Sequence, residues 1–391
     1  MRGALFRELW AERRLLSCAF ASGIGAGYLP LLVLPWAIGA LMAQTGRSES
    51  WAGWIATAEI GALALASLAT SQAAARPGRR WVGTIGLAIA IAANITSIFV
   101  TPGSAAFVVT RVVSGAGLGA CVAVGNATAA GSLNPTRAFA CVWFLMALWQ
   151  PVIFAATPRV IAALGLNGSY ELMACAGLLF LPLVAWTPDP QLATAPAAAV
   201  EHSDRPPYMS LILIAFAAFW LREALVYAMS ERLAAAQNLN GQDLGTILGV
   251  ASILGLLGPV LAARLKTGMP SPASLCLGLS VAFATSVVMA LGSSAWIFSA
   301  AALMAPAVGF FGASLLSGLA GSLDPSGRLA ALGAGTGLLS EAVGPIAGGS
   351  LVAAGGISAL ATAVIAIGVV GAISGTFAAA LARRQRSGGL S

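Results

Sequence analysis

Apolar stretches follow one another through almost the whole chain, and charged residues rarely interrupt them. Only 8% of the 391 residues are Asp, Glu, Lys or Arg, while 59% are hydrophobic. A soluble domain runs near a quarter charged, so water is not the solvent for most of this surface. A bilayer core about 30 Å thick takes roughly twenty apolar residues per helical crossing. Breaks at Pro, Gly and charged residues predict helices over 15–42, 51–74, 81–100, 103–126, 138–165 and 168–187, then 208–233, 244–263, 271–292, 295–318, 329–354 and 357–382. The expected class is an all-α integral membrane protein of twelve transmembrane helices, lodged in the lipid bilayer.

Cations set the expected orientation. Arg2, Arg7, Arg13 and Arg14 precede the first span, and Arg76, Arg79 and Arg80 lie between the second and third. Arg137, Arg205, Arg264, Lys266, Arg328, Arg383, Arg384 and Arg386 fall on the same side, whereas the alternate side holds Arg47, with Arg159 and Arg232 near helix ends. Positive charge marks the cytoplasmic face, so both termini are expected in the cytoplasm and the chain in a cytoplasmic (inner) membrane. The net charge of +7 then reflects topology and anionic lipid, and no nucleic-acid partner is expected.

The first apolar run is too long for a cleavable signal peptide. Cys18, Cys121, Cys141, Cys175 and Cys276 fall inside spans without CxxC spacing and read as small core residues. The single histidine, His202, lies between the sixth and seventh spans, which excludes a histidine proton relay. No GxxxxGK[ST] loop is present, so ATP-driven pumping by this chain alone is not expected, and neither is a cofactor, a metal or an enzymatic activity.

The chain also repeats itself. Gly131-Ser132-Leu133-Asn134-Pro135 is echoed 190 residues later by Gly321-Ser322-Leu323-Asp324-Pro325, with Arg137 and Arg328 shortly after. Gly119 falls on Gly309 at the same offset. Parallel six-helix repeats are one architecture of secondary transporters, with the solute site between halves near the midplane. The division expected is 1–187, a linker over 188–207 rich in proline and acid, and 208–391.

Two further segments carry a family likeness. Ser71-Gln72-Ala73-Ala74-Ala75-Arg76-Pro77-Gly78-Arg79-Arg80 resembles the GxxxDRxGRR loop of the major facilitator superfamily, with Ala75 in the aspartate position and Ser71 in that of the first glycine. Arg111-Val112-Val113-Ser114-Gly115-Ala116-Gly117-Leu118-Gly119 is similar to its RxxxGxGxG pattern. With the repeat, the likeness covers the whole chain. It implies two parallel pseudo-symmetric six-helix bundles, alternating access, a small-molecule solute, a monomer, and a conformational role for Arg76, Gly78, Arg79 and Arg80. The glycine–proline signature of proton-driven drug exporters is missing from the fifth span, where Gln150-Pro151 stands instead.

A charge at the bilayer centre costs at least ~2.5–3.5 kcal/mol, so intramembrane charges are functional candidates. Glu59 and Arg111 enter from one face by roughly 12 Å, and Arg222 and Glu341 from the other by roughly 18–21 Å, at about 1.5 Å per residue. All four fit one midplane layer, with Glu223 beside Arg222. Glutamates there are expected to couple protons, Glu341 first, then Glu59 and Glu223. Arg111 and Arg222 offer planar donor forks to an organic anion or amphipathic acid, and Tyr28, Gln150 and Tyr227 are further candidates for the solute cavity. The bland reading of the same charges is two neutralising pairs, Glu59–Arg111 and Arg222–Glu341. Gly333, Gly337, Glu341, Gly344 and Gly348 share one helical face, which either admits a close neighbour or lines a cavity. The leading expectation is proton-coupled symport of an organic acid. Its rivals are a proton-coupled exporter of hydrophobic compounds, including cations, and a non-transporting membrane sensor.

Overall fold

The computed structural model describes residues 12–47, 49–190, 207–239, 241–265 and 269–388. Arg2, Arg7, Lys266, His202 and most of the expected linker lie outside the described residues. The described chain forms twelve membrane-length helical units. The first half comprises α1 (12–45), α2 (Glu49–Ala74), α3 (Arg79–Phe99), α4 (Ala105–Ala130), α5 (Pro135–Leu164) and α6 (Leu166–Ala185). The second comprises α7 (Pro207–Ala228), α8 (Gly241–Leu254 and Leu257–Ala263), α9 (Pro272–Leu291), α10 (Ala295–Leu323), α11 (328–354) and α12 (357–388).

Three departures from the predicted spans have local causes. Residues Ala21–Ala26 of α1 wind as a π-helix. Gly23 there lies against Gly125 of α4, where a Cβ would meet the Gly125 Cα at 3.3 Å, and the Ser22 hydroxyl donates to the Cys121 carbonyl at 2.7 Å. The chain then restarts at Leu29 with Pro30 in the first turn, where its missing N–H costs no helical bond. The span expected over 244–263 is broken at Gly255–Leu256 into two shorter helices. The last two spans run as one helical stretch, Arg328–Gly388, interrupted by Gly355 (φ −151°, ψ 19°) and Gly356 (φ 68°, ψ −163°). Gly356 takes a left-handed conformation that a Cβ would strain. Because these two merge, helices long and apolar enough to cross a membrane number eleven among the described residues, the last of them, Ile346–Gln385, running from α11 into α12.

Each half packs chiefly within itself. In the first, α4 is central and touches α1, α2 and α3; in the second, α7 lies along α11 and α12, and α9 packs on α10 and α12. Across the halves, α2 meets α11 and α5 meets α8 and α10. The tightest of these crossings lie at the arginine-rich end. A Cβ on Gly318 would fall 2.3 Å from the Thr136 hydroxyl, one on Gly321 2.9 Å from the Pro135 Cβ, and one on Gly327 2.4 Å from the Ala127 Cα. The two copies of the repeated loop therefore close on one another. The equivalent residues share a backbone: Asn134, which caps the start of α5, has φ −133°, ψ 90°, and Asp324, which closes α10 ahead of α11, φ −131°, ψ 89°.

Candidate functional site

The first half ties its midplane charges inward. Arg111 of α4 is 1% exposed. Its Nη1 donates to the Asn94 Oδ1 of α3 at 2.9 Å and stands 3.4 Å from the Glu59 Oε1 of α2. Its Nη2 donates to the Ser97 hydroxyl and to the Ala93 carbonyl at 3.4 Å. The guanidinium carbon lies 4.2 Å from the ring centroid of Tyr170 on α6, a cation–π contact. Gly115 lets α2 approach: a Cβ there would fall 2.1 Å from the Glu59 carbonyl oxygen. Arg111 thus pins α2, α3 and α6 to α4, and Glu59 is its counter-ion.

The second half binds its arginine differently. Arg222 of α7 donates through Nη1 to the Ser286 hydroxyl of α9 at 2.8 Å and pairs through Nη2 with the Glu223 Oε2 at 3.1 Å. Phe219 and Phe283 flank it, with ring centroids 4.6 and 5.7 Å from its guanidinium carbon. The alternative of an Arg222–Glu341 pair is not what forms: Arg222 is held by Ser286 and Glu223, and Glu341 makes no hydrogen bond or ion pair among the described residues.

Glu341 stands on α11 between Gly337 and Gly344. A Cβ on those glycines would meet Trp220 at 2.4 Å and Ala224 at 2.2 Å, so the glycine face is the close contact between α11 and α7. Glu341 thereby reaches the level of Glu223, near enough for the two carboxylates to act on each other, and both act on Tyr28 of α1. Glu223 also lies beside Gly309 of α10, with its Oε2 3.5 Å from where a Cβ would sit.

Aromatic rings close the layer on the side of the arginine-rich loops. Trp143 of α5 stacks on Phe310 of α10 with centroids 5.5 Å apart, meets Trp220 of α7 at 5.5 Å and Tyr28 at 6.2 Å. Tyr28, Trp143 and Trp220 border a narrow crevice between the halves that Asn126 and Ser317 also line. Tyr28 is 7% exposed and its hydroxyl has no hydrogen bond among the described residues. Glu223 and Tyr227, one turn apart, are 39% (side chain) and 56% exposed. Gln150 on α5 is half-buried.

The expected conformational loop is docked within the first half. Gly78 takes φ 87° and its N–H donates to the Asp189 Oδ1 at 2.7 Å. Arg79, 1% exposed, donates to the carbonyls of Pro188 at 2.7 Å and Ala127 at 3.1 Å. Where Ala75 leaves the loop without its aspartate, Asp189 beyond α6 supplies a carboxylate. Arg80 lies over the Trp81 ring, and Arg76 is exposed.

Sequence reasoning missed Ser97, Tyr170, Ser286, Trp143 and Phe310. Ser97 and Ser286 sit 189 residues apart, close to the repeat offset, and that was the available signal. Asn94 of α3 is a further residue that holds Arg111.

At the level of sequence alone, no family model and no curated protein matches the chain. Structural similarity is extensive. A human organic anion transporter, MFSD10 (TETRAN), superposes with a TM-score of 0.75 at 17% identity over 93% of this chain and 99% of its own. The proton:xylose symporter XylE gives 0.74 at 13% identity over 93% and 94%. FucP, a major facilitator superfamily transporter in its outward conformation, gives 0.74 at 13% identity over 95% and 99%. The chain has the major facilitator fold: a polytopic helical membrane protein built as two six-helix bundles.

Proposed function

We propose that the protein is a secondary transporter that moves a small organic solute by alternating access, with protons as the coupling ion and Glu341 as the proton carrier. The observation that carries this reading is Glu341, which has no hydrogen bond or ion pair among the described residues, in a layer where the other midplane charges have counter-ions. A carboxylate in apolar surroundings favours its neutral form, so proton binding there is sensitive to whatever the halves enclose. The closed arginine-rich end and the exposed Glu223 and Tyr227 beyond the aromatic rings fit a state open on the opposite side. With positive charge inside, that state faces outward. The loop residues Arg76, Gly78, Arg79 and Arg80 would hold this end of the first bundle together, and 188–207 would join two bundles spanning 1–187 and 208–391. A monomer in a cytoplasmic membrane, both termini inside, completes the reading.

An organic acid carried with the proton is the second reading, and Arg222 favours it. Its partner Glu223 is partly exposed, so a solute carboxylate reaching the site could take that place on the guanidinium. Arg111 has no such opening, because Glu59, Asn94 and Ser97 surround it. The test is proton flux into vesicles reconstituted with the full chain and loaded with a pH-sensitive dye, challenged with a panel of organic acids, sugars and lipophilic cations. Solute-dependent proton movement that disappears in Glu341→Gln supports the proposal. Proton movement unchanged in that variant removes Glu341 from the coupling role.

A further inference from the structure

Two polar groups near the midplane have no bond among the described residues, the Tyr28 phenol on α1 of the first half and the Glu341 carboxyl on α11 of the second. We propose that Tyr28 is the hydrogen-bond partner that Glu341 acquires when the bundles turn against one another, and that this contact releases the Glu341 proton towards the arginine-rich end. The inference rests on the transporter reading above and adds a positioning residue to it.

The crevice between the halves supplies the geometry. Tyr28, Trp143 and Trp220 border it near the midplane, and it runs from there towards the arginine-rich end past Asn126, Ser317 and Ala334. Neither Glu341 nor Glu223 lines it. Ala334 does, and Glu341 follows seven residues later, on the same face of α11 and about 10 Å farther from that end. On α1, Tyr28 is the lining residue farthest from the same end, beyond Ala19, Gly23 and Ile24. Counted along their helices, Tyr28 and Glu341 both lie about 20–24 Å in, close enough for the carboxylate to act on the phenol.

Chemistry and bundle membership single out Tyr28 among the neighbours. The Glu223 carboxylate on α7 has the same sign as Glu341 and is paired with Arg222. The Trp220 indole is a donor, but α7 and α11 belong to one bundle and pack through Gly337 and Gly344, so its distance is fixed when the halves turn. Trp143 comes from the first half and is stacked on Phe310. Tyr28 is a donor free of other bonds, more than nine-tenths buried, and on the opposite bundle.

An O–H bond to a carboxylate is charge-assisted and about twice as strong as a bond between neutral groups. A Tyr28 hydroxyl donated to Glu341 therefore stabilises the carboxylate over the acid. The Glu341 O–H bond breaks, its proton passes to water through the opened crevice, and Tyr28 keeps its own proton throughout. While the close contacts at Gly318, Gly321 and Gly327 hold the arginine-rich end shut, release waits for the turn, and protons do not leak.

The experiment uses the purified full chain in lipid nanodiscs, with the proton as the only ligand. Infrared bands of carboxyl and tyrosine groups are followed through a pH titration, and ring-deuterated tyrosine marks the phenol bands. The wild type should show a carboxyl band that disappears on ionisation and a phenol band that shifts with it, as for a hydroxyl gaining an acceptor. Glu341→Gln should lose both changes. Tyr28→Phe keeps the ring against Trp143, and should lose the phenol change while keeping the carboxyl one; Tyr227→Phe should lose neither. Should Tyr28→Phe fail to fold, the Glu341→Gln and Tyr227→Phe spectra still decide. A phenol band that stays still while Glu341 titrates, persists in Glu341→Gln, or disappears in Tyr227→Phe overturns the inference and leaves Glu341 as the proton carrier. Identical carboxyl spectra for the wild type and Glu341→Gln remove the carrier, and the inference falls with it.

Discussion

Each half buries one arginine against a serine of an equivalent helix, Ser97 on α3 and Ser286 on α9, yet the two sites do different work. Arg111 is enclosed: carboxylate, amide, hydroxyl and ring come from three helices, and Glu59 is itself buried. Arg222 is itself buried, 2% exposed, but its carboxylate is the neighbouring residue, which is partly exposed. The first site joins helices of one rigid bundle. The second leaves a partly exposed carboxylate, and Glu341 adds a charge at that level with no counter-ion among the described residues. Pseudo-symmetry therefore preserves the serine on α3 and α9, while the buried arginine comes from a different helix in each half, α4 and α7, and does different work.

The largest expected effect separates the two arginines. Arg111→Leu strands Glu59, Asn94 and Ser97 in the interior, and losing one member of a buried pair costs about 3–5 kcal/mol. Arg222→Leu leaves Glu223 able to reach water and Ser286 able to bond its own helix, so the loss should be about 1–3 kcal/mol. Chemical unfolding in detergent, read for each variant, checks both. Equal losses would break the distinction between an enclosed and an open site.

The glutamates sharpen the comparison by sign. Glu59→Gln weakens a charge-assisted contact and leaves Arg111 without a counter-ion, and should destabilise by about 1–3 kcal/mol. Glu341→Gln removes an uncompensated carboxylate and should leave stability at pH 8 unchanged or raise it by about 1 kcal/mol. Melting temperatures of both variants at pH 8 decide it. A drop for Glu341→Gln matching that of Glu59→Gln would mean that Glu341 has a stabilising partner.

Much of this architecture is legible in the sequence, because helical crossings need long apolar runs and the breaks fall at Gly, Pro and arginine. The midplane acids and bases are equally visible, since charge is rare. Pairing is not visible, because it depends on helix rotation. Trp220 and Ala224 face Gly337 and Gly344, and Arg222 lies two residues from each, about 200° around the helix. It therefore points away from α11 into α9, and depth alone cannot distinguish Glu223 from Glu341 as its partner. Ser97 and Ser286 were hidden for another reason: each hydroxyl also bonds the carbonyl four residues back, at 2.8 and 3.3 Å, the ordinary behaviour of serine in an apolar helix. The Gly355–Gly356 break shows the reverse, a boundary plain in the sequence but hidden within one helical run.

The smallest expected effect tests the repeat where the halves touch. Asn134 caps the start of α5 and Asp324 closes α10 just ahead of α11, with nearly the same dihedral angles, but their side chains are not equally employed. The Asn134 Oδ1 accepts one bond, from the Arg137 N–H at 3.1 Å. The Asp324 carboxylate accepts from the Ser326 N–H at 3.1 Å and its hydroxyl, and from the Leu329 N–H at 2.8 Å. It also places a negative charge at a helix N-terminus, where the helix dipole favours it. Asn134→Ala should therefore cost about 0.5–1 kcal/mol and Asp324→Ala about 1–2 kcal/mol. Asn134→Asp should stabilise by a few tenths, about 0.3–1 kcal/mol, through the same dipole and the nearby Arg137. Because Pro135 and Gly321 meet across the halves, loosening either cap also loosens the closed end. Spin labels at Leu133 and Ser326 should report a broader distance distribution for Asp324→Ala than for Asn134→Ala. The reverse order would place the stronger cap in the first half, and the closed end would then be held by α5, not by α11.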